Sequence, residues 1–372
     1  MPIAPFKLER YFAEHEFKVK YLLSASDCES LTREELLQLA DDECLKLWQN
    51  LKLGYTESAG HPILREEVAR PYKNVAAENV MIAAPEEAIF IAMHTLLDPG
   101  HHVITIFPAY QSLYEVARSR GCIVTTWELE LSASRWQLDL GRLENSLQPN
   151  TRLLVLNFPH NPTGYLPTIA ELEAIIAIAR RHGLYVFSDE MYRGLEYEAA
   201  QRLPSICEIY ENGIALSGLS KTFALPGLRL GWLVSQNKSW LERWLTFKDY
   251  TTICNSAPSE ILGIMALRAQ AAIIARNLEI IQKNLVCAEA FFAEHPEKFL
   301  WIKPQAGSVA FPKWKPDTPV DDFCREVLAQ QSVMIVPGSI FDAAGNHFRL
   351  GLGRRNFVEA LQRVQVFLQT DR

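Results

Sequence analysis

Lys221 and Arg229 are the only charged residues in the stretch SGLSKTFALPGLRLGWL (217–233), eight positions apart in apolar, Gly- and Pro-punctuated surroundings. A desolvated lysine has a lowered pKa and becomes a nucleophilic amine suited to a Schiff base. An arginine held at a fixed distance from it offers a planar fork for a phosphate. Upstream, SDEMY (188–192) supplies Asp189 and Tyr192, NFPHNPTG (157–164) supplies Asn161, and FPAY (107–110) supplies Tyr110. A carboxylate pairs with a protonated ring nitrogen, and an aromatic side chain lies over a ring face. Aldehyde, phosphate, ring nitrogen and π-face together describe pyridoxal 5'-phosphate.

Each of these groups follows an apolar run that reads as a strand: HHVITIF, TRLLVLNF, LYVFSDE and residues 213–217, with 228–235 as a further strand. Helical stretches separate them, among them PTIAELEAIIAIARRHG, which opens on the capping pair Thr168 and Glu171. Continuous apolar strands alternating with helices predict an α/β fold with a mostly parallel sheet covered on both faces. Such sheets bind ligands at the carboxyl ends of their strands, which is where these groups fall. A second capping pair, Thr32 and Glu35, predicts one helix running through ELLQLADDECLKLWQ, and the breaker-free run SEILGIMALRAQAAIIARNLEIIQKNLVCAEAFFAEH (259–295) predicts a single long helix. Beyond it, short strands alternate with helices at 319–330 and 354–370, the pattern of a smaller α+β domain. The expected division is an N-terminal arm at 1–35 that joins the small domain, a large cofactor domain at 36–265, and a linking helix with the small domain at 266–372.

In this order, NFPHNPTG, SDEMY and SKTFALPGLRLGW resemble the class I/II aminotransferases of the aspartate aminotransferase fold, the fold type I pyridoxal-phosphate enzymes with a seven-stranded-type sheet. The resemblance covers nearly the whole chain. It implies that Lys221 is the Schiff-base lysine and proton carrier, and that Asp189 keeps the ring nitrogen protonated. Asn161 and Tyr192 would bond the phenolic oxygen, and Tyr110 would stack on the ring. Ser220 and Arg229 would bind the phosphate. Arg349, in HFRLGLG, matches the arginine that clamps the substrate α-carboxylate, with Asn161 beside it. Tyr55, in GYTESAG, matches a tyrosine that reaches the neighbouring subunit's phosphate, which implies a homodimer with shared active sites.

Three positions depart from that pattern. Gly218 stands where relatives often carry a phosphate-binding hydroxyl. APEEAI (84–89) replaces the usual small and polar phosphate cup, so the backbone N–H groups of Glu86 and Glu87 are expected to serve at a helix start, with the Glu86 carboxylate pointing away. SASDCES (24–30) stands in place of a Gly-rich substrate loop and puts Ser26 and Cys28 forward as pocket residues.

The expected reaction is amino transfer between an L-amino acid and a 2-oxo acid. LERYFAEHEFKVKYLLSASDCES and GYTESAGHP also resemble relatives of capreomycidine synthase, so a lyase, decarboxylase or cyclase outcome on the same cofactor is the alternative. A non-catalytic regulator fits less well, because Lys221 and Asp189 are both present and no basic DNA-binding module precedes residue 30. The formal charge of −7 without a long basic run argues against a nucleic-acid partner, and no apolar run approaches a membrane span. Seven scattered cysteines with no C-x-x-C pair predict neither a disulfide framework nor a metal site, and a cytoplasmic setting.

Overall fold

Strands that must be apolar on both faces dominate the middle of the chain, and the computed structural model, which describes residues 2–370, assembles them into one sheet. Its strands are β1 (Val80–Ala83), β2 (His102–Phe107), β3 (Ile123–Glu128), β4 (Thr151–Asn157), β5 (Tyr185–Asp189), β6 (Gly213–Gly218) and β7 (Gly231–Val234), in the spatial order β1-β7-β6-β5-β4-β2-β3. All run parallel except β7, which pairs antiparallel with both β1 and β6. Ile104, Leu154 and Val186 pack into one buried cluster, while their neighbours Val103, Leu153 and Phe187 pack into a second one on the other face. This alternation makes the strands read as unbroken apolar runs.

Register places the functional ends side by side. Asn157 lies opposite Asp189 across β4 and β5, Asp189 opposite Leu216 across β5 and β6, and Gly218 opposite Gly231 across β6 and β7.

A second, smaller unit is built from both ends of the chain. The strand Phe348–Gly351 pairs with Val309–Ala310 and Val336–Pro337, and Tyr21–Leu22 pairs parallel with Val333–Met334. The arm then passes close over Phe348–Gly351: a Cβ added at Gly351 would lie 2.0 Å from the Ala25 carbonyl oxygen. Only glycine admits that approach, and it fixes where Ser26 and Asp27 sit.

Three expected elements differ from the structure. The run at 259–295 belongs to two helices, Ala257–Arg268 and Gln270–Glu294, bent by 78°. No breaker residue causes the bend. Arg268 is held by Glu67, Asp41 and Glu43, and Asn277 Nδ2 donates to the Thr222 carbonyl at 3.0 Å, so contacts on both sides of Ala269 override local propensity. The helix after Thr32 stops at Gln38, and a new one, Asp42–Gln49, starts with Asp41 accepting from the Cys44 N–H at 2.7 Å. The strand expected at 228–235 is confined to β7, because Pro226–Leu228 forms a 3-10 turn and Arg229 takes φ 51°, ψ 42°. No single helix among the described residues is long and apolar enough to cross a membrane.

Candidate active site

The loops leaving β1, β2, β4, β5 and β6 meet the N-terminal arm and the Arg349 strand around a cavity of about 570 Å³. Glu86, Tyr110, Asn161, Asp189, Tyr192, Ser220, Lys221, Arg229 and Arg349 all line it. Glu87 and Tyr55 do not.

Asp189 forms the floor at the end of β5. Its backbone carbonyl accepts from Asn157 Nδ2 at 3.0 Å and from the Phe158 N–H at 3.1 Å, which ties the β4 and β5 ends together. Asn157 Oδ1 in turn accepts from the Asn161 N–H at 2.8 Å, setting that side chain at the rim. One Asp189 carboxylate oxygen accepts from the Met191 N–H at 3.0 Å. Burial still pushes the Asp189 pKa up from 3.8 to about 7, against the lowering effects of that bond and of Lys221. The site therefore holds a buried carboxylate that lacks a full counter-charge.

Lys221 is the third residue of the loop after β6. Its Nζ donates to Ser26 Oγ at 2.9 Å, and desolvation lowers its pKa, with Asp27 opposing and Arg349 reinforcing the shift. The Tyr192 hydroxyl donates to the Ser26 carbonyl at 3.1 Å, so one arm residue meets both side chains. Burial raises the Tyr192 pKa, which keeps the phenol a donor.

Arg349 is 1% exposed. Its Nε donates to the Ser24 carbonyl at 3.1 Å, its Nη1 to Asn161 Oδ1 at 3.4 Å, and the guanidinium lies 5.7 Å from the Phe12 ring centre and 5.2 Å from that of Phe341. No carboxylate pairs with it among the described residues, so a buried fork is left for an incoming anion.

The aminotransferase class I and II profile matches residues 19–363. The chain belongs to that family. It is accordingly a pyridoxal-phosphate-dependent transferase, with pyridoxal 5'-phosphate as its cofactor. A PLP-dependent aminotransferase from Streptococcus suis 89-1591 superposes with TM-score 0.93 at 31% identity, covering 100% of this chain and 99% of that one. The chain is 28% identical over 337 residues to an aspartate aminotransferase of Pyrococcus horikoshii, covering 86% of this chain and 84% of the relative. It is equally 28% identical over 354 residues to the capreomycidine synthase of Streptomyces vinaceus, covering 94% and 89%.

The side chains in this aminotransferase-family cavity fit the cofactor. Ser220 Oγ is buried with no hydrogen-bond partner, as a hydroxyl awaiting an anion would be. The helix Pro85–Leu96 opens at the cavity with Glu86 and Glu87 in its first turn, whose N–H groups have no intrahelical acceptor. Arg229 reaches the same end, its Nη1 donating to the Pro226 carbonyl at 3.1 Å. Asp189 places a buried carboxyl group at the floor, the kind of group a cationic ring nitrogen would pair with. Tyr110 lines the wall with its ring centre 4.8 Å from that of Phe6, and its hydroxyl donates to Glu9 Oε1 at 2.8 Å.

One expectation, Cys28 as a pocket residue, is corrected, and the other side chains take these places. The Glu86 carboxylate, expected to point away from the phosphate, lies in the cavity wall. It accepts from Ser112 Oγ at 3.3 Å inside the wall, and burial, partly offset by that bond, raises its pKa to about 7. The Glu87 side chain leaves the cavity and accepts from the Thr251 and Thr252 hydroxyls. Cys28 is wholly buried in the core of the small unit, whereas Ser26 lines the cavity. Tyr55 is 92% exposed and does not enter its own chain's cavity. The Gly218 position has no room for a hydroxyl: a Cβ there would lie 2.9 Å from the Gly231 Cα and 3.0 Å from the Leu230 carbonyl oxygen.

Sequence reasoning missed the wall contributed by the helix Lys7–His15 and its flanks: Phe6, Leu8, Glu9, Phe12 and Glu16, followed by Asp27. A signal was present. Glu9, Phe12 and Glu16 recur at helical spacing, which puts them on one face.

Proposed function

We propose that this enzyme moves the amino group of an L-amino acid to a 2-oxo acid, with Lys221 as the Schiff-base lysine and proton carrier. The observation that carries the reading is the convergence of a desolvated lysine, a buried carboxylate and a buried, unpaired arginine on one cavity. Bound pyridoxal phosphate would supply the electron sink that stabilises a carbanion at the substrate α-carbon. Asp189 would hold the ring nitrogen in its protonated form, and Asn161 and Tyr192 would bond the ring's phenolic oxygen. Tyr110 would lie against the ring. Ser220, Arg229 and the N–H groups of Glu86 and Glu87 would hold the phosphate.

The chain's own groups then divide the work. Arg349 binds the α-carboxylate through its guanidinium fork, beside Asn161. That fixes the α-carbon near Lys221 Nζ, which takes its proton and returns one, a positioned general base and acid. Desolvation enlarges the fraction of Lys221 present as free amine. The Ser26 hydroxyl, at 2.9 Å, orients it.

A homodimer with shared sites is part of this reading. Leu53, Tyr55, Tyr250 and Ile253 are 83%, 92%, 89% and 52% exposed on two segments joined by the Thr56 hydroxyl donating to the Asn255 carbonyl at 3.1 Å. Such exposed apolar groups favour burial against a second copy. Tyr55 would then serve the partner's phosphate. Seven free cysteines support a reducing, cytoplasmic setting.

Incubating the cofactor-loaded protein with amino acids and 2-oxo acids tests the reaction. Amino transfer yields a new amino acid and a new 2-oxo acid in equal amounts. Ammonia or carbon dioxide without a new amino acid would overturn it and favour the lyase, decarboxylase or cyclase outcome. The likeness to capreomycidine synthase over 94% of the chain keeps that second reading in view.

A further inference from the structure

The cavity around Lys221 carries more acidic than basic side chains. Glu9, Glu16, Asp27, Glu86 and Asp189 face Lys221, Arg229 and Arg349. In the reading above, each of the three cations has a task, and the cofactor phosphate and substrate α-carboxylate add further negative charge. No further cation of this chain lines the cavity for a carboxylate at the far end of a substrate side chain.

The acids fall into two groups. Glu86 and Asp189 belong to the sheet-side floor, whereas Glu9, Glu16 and Asp27 come from the N-terminal arm that forms the opposite wall. Both oxygens of Asp27 accept from Arg354 Nη2 at 3.1 Å, which fixes that carboxylate. Glu9 Oε1 accepts from Tyr110. The Glu16 carboxylate has no hydrogen-bond or ion-pair partner among the described residues; burial and then Asp27 raise its pKa, while Arg354 and Lys221 oppose the shift. Arg354 is already engaged by Asp27, so the unpaired Glu16 carboxylate, with Glu9 on the same arm, is left to favour an incoming cation. Phe6, Leu8 and Phe12 line the same wall and offer an apolar surface for the methylene stem of such a side chain.

We propose that Glu16 and Glu9 select an L-amino acid whose side chain ends in an ammonium or guanidinium group. The inference rests on the aminotransferase reading of this cavity. It excludes aspartate and glutamate as preferred amino donors, although relatives bear the name aspartate aminotransferase.

The test uses ligands without an α-amino group, which bind but cannot react. Calorimetry on the cofactor-loaded protein compares 5-guanidinopentanoate, glutarate and hexanoate. The guanidino acid should bind at least ten-fold tighter than glutarate. Glu16→Gln should remove most of that preference, Glu16→Gln with Glu9→Gln all of it, and neither should change hexanoate binding more than two-fold. Equal or tighter glutarate binding, no measurable binding of the guanidino acid, or an unchanged preference in Glu16→Gln would overturn the proposal. A parallel turnover assay with L-arginine, L-ornithine, L-lysine and L-aspartate separates the two readings. Faster transfer from L-aspartate defeats the specificity while leaving amino transfer intact. Tight guanidino-acid binding with no amino transfer from any donor defeats the reaction while leaving the specificity intact.

Discussion

The Lys221 amine and the Ser26 hydroxyl lie 2.9 Å apart although 195 residues separate them in the chain. The bond joins the loop after β6 to the N-terminal arm, and the Ser26 carbonyl adds bonds from the Tyr192 hydroxyl at 3.1 Å and Ser308 Oγ at 2.7 Å. Ser26 is thus a junction between the sheet, the arm and the small unit, and its hydroxyl alone is turned to the reactive amine.

Ser26→Ala should leave the two bonds to the carbonyl intact and remove only the partner of Lys221. A hydrogen bond worth about 1–1.5 kcal/mol corresponds to a roughly ten-fold fall in kcat/KM. Steady-state kinetics should find that fall with cofactor affinity unchanged. Wild-type kcat/KM would remove Ser26 from the positioning of Lys221.

Asp189 couples stability to pH. Its folded-state pKa of about 7 exceeds the ordinary 3.8, so the cofactor-free folded protein holds the proton more tightly than the unfolded chain. Stability should therefore fall as pH rises from about 4 to about 7, by up to about 4 kcal/mol for a shift of this size. Asp189→Asn should flatten that dependence in cofactor-free protein and weaken cofactor binding. Melting curves at pH 5 and 8, with and without cofactor, check both. An equal pH dependence in the variant would contradict the account.

Gly218→Ser adds the hydroxyl that relatives often carry but forces a Cβ to 2.9 Å from the Gly231 Cα. Overpacking between paired strands costs about 1–3 kcal/mol. The variant should melt several degrees lower and gain no cofactor affinity. Tighter cofactor binding at unchanged stability would mean that the strand pair can yield.

How much of this was legible in the sequence follows from the range of the interactions involved. Asn161, Asp189 and Lys221 each sit at or just past the end of a strand in a local motif, so their meeting follows from a parallel sheet with adjacent strand ends. Glu9 and Glu16 meet Lys221 only because the arm crosses the cavity, held by Gln111 Nε2 donating to the Pro5 carbonyl at 2.9 Å and by the Tyr11 hydroxyl donating to the Ile335 carbonyl at 2.9 Å. No local pattern encodes those contacts. The bend at Ala269 escaped for the same reason, since Arg268 is turned by partners from Asp41 to Glu67. The inward Glu86 carboxylate depended on Ser112, a neighbour in space rather than in sequence.

Arg349→Lys keeps the charge but loses the planar fork that a carboxylate engages bidentately. KM for the amino acid should rise about 100-fold, an interaction of roughly 2.7 kcal/mol, with the cofactor's absorption unchanged. Initial-rate measurements over a wide amino-acid range check this. An unchanged KM would assign the α-carboxylate to another group.

The central claim is that Lys221 carries the cofactor. Borohydride reduction of the cofactor-loaded protein, followed by peptide mass mapping, tests it directly. The account predicts a stable cofactor adduct on the peptide containing Lys221 and none in Lys221→Ala, which should still hold cofactor non-covalently while turnover falls below detection. An adduct on another lysine, or full turnover by Lys221→Ala, would contradict it.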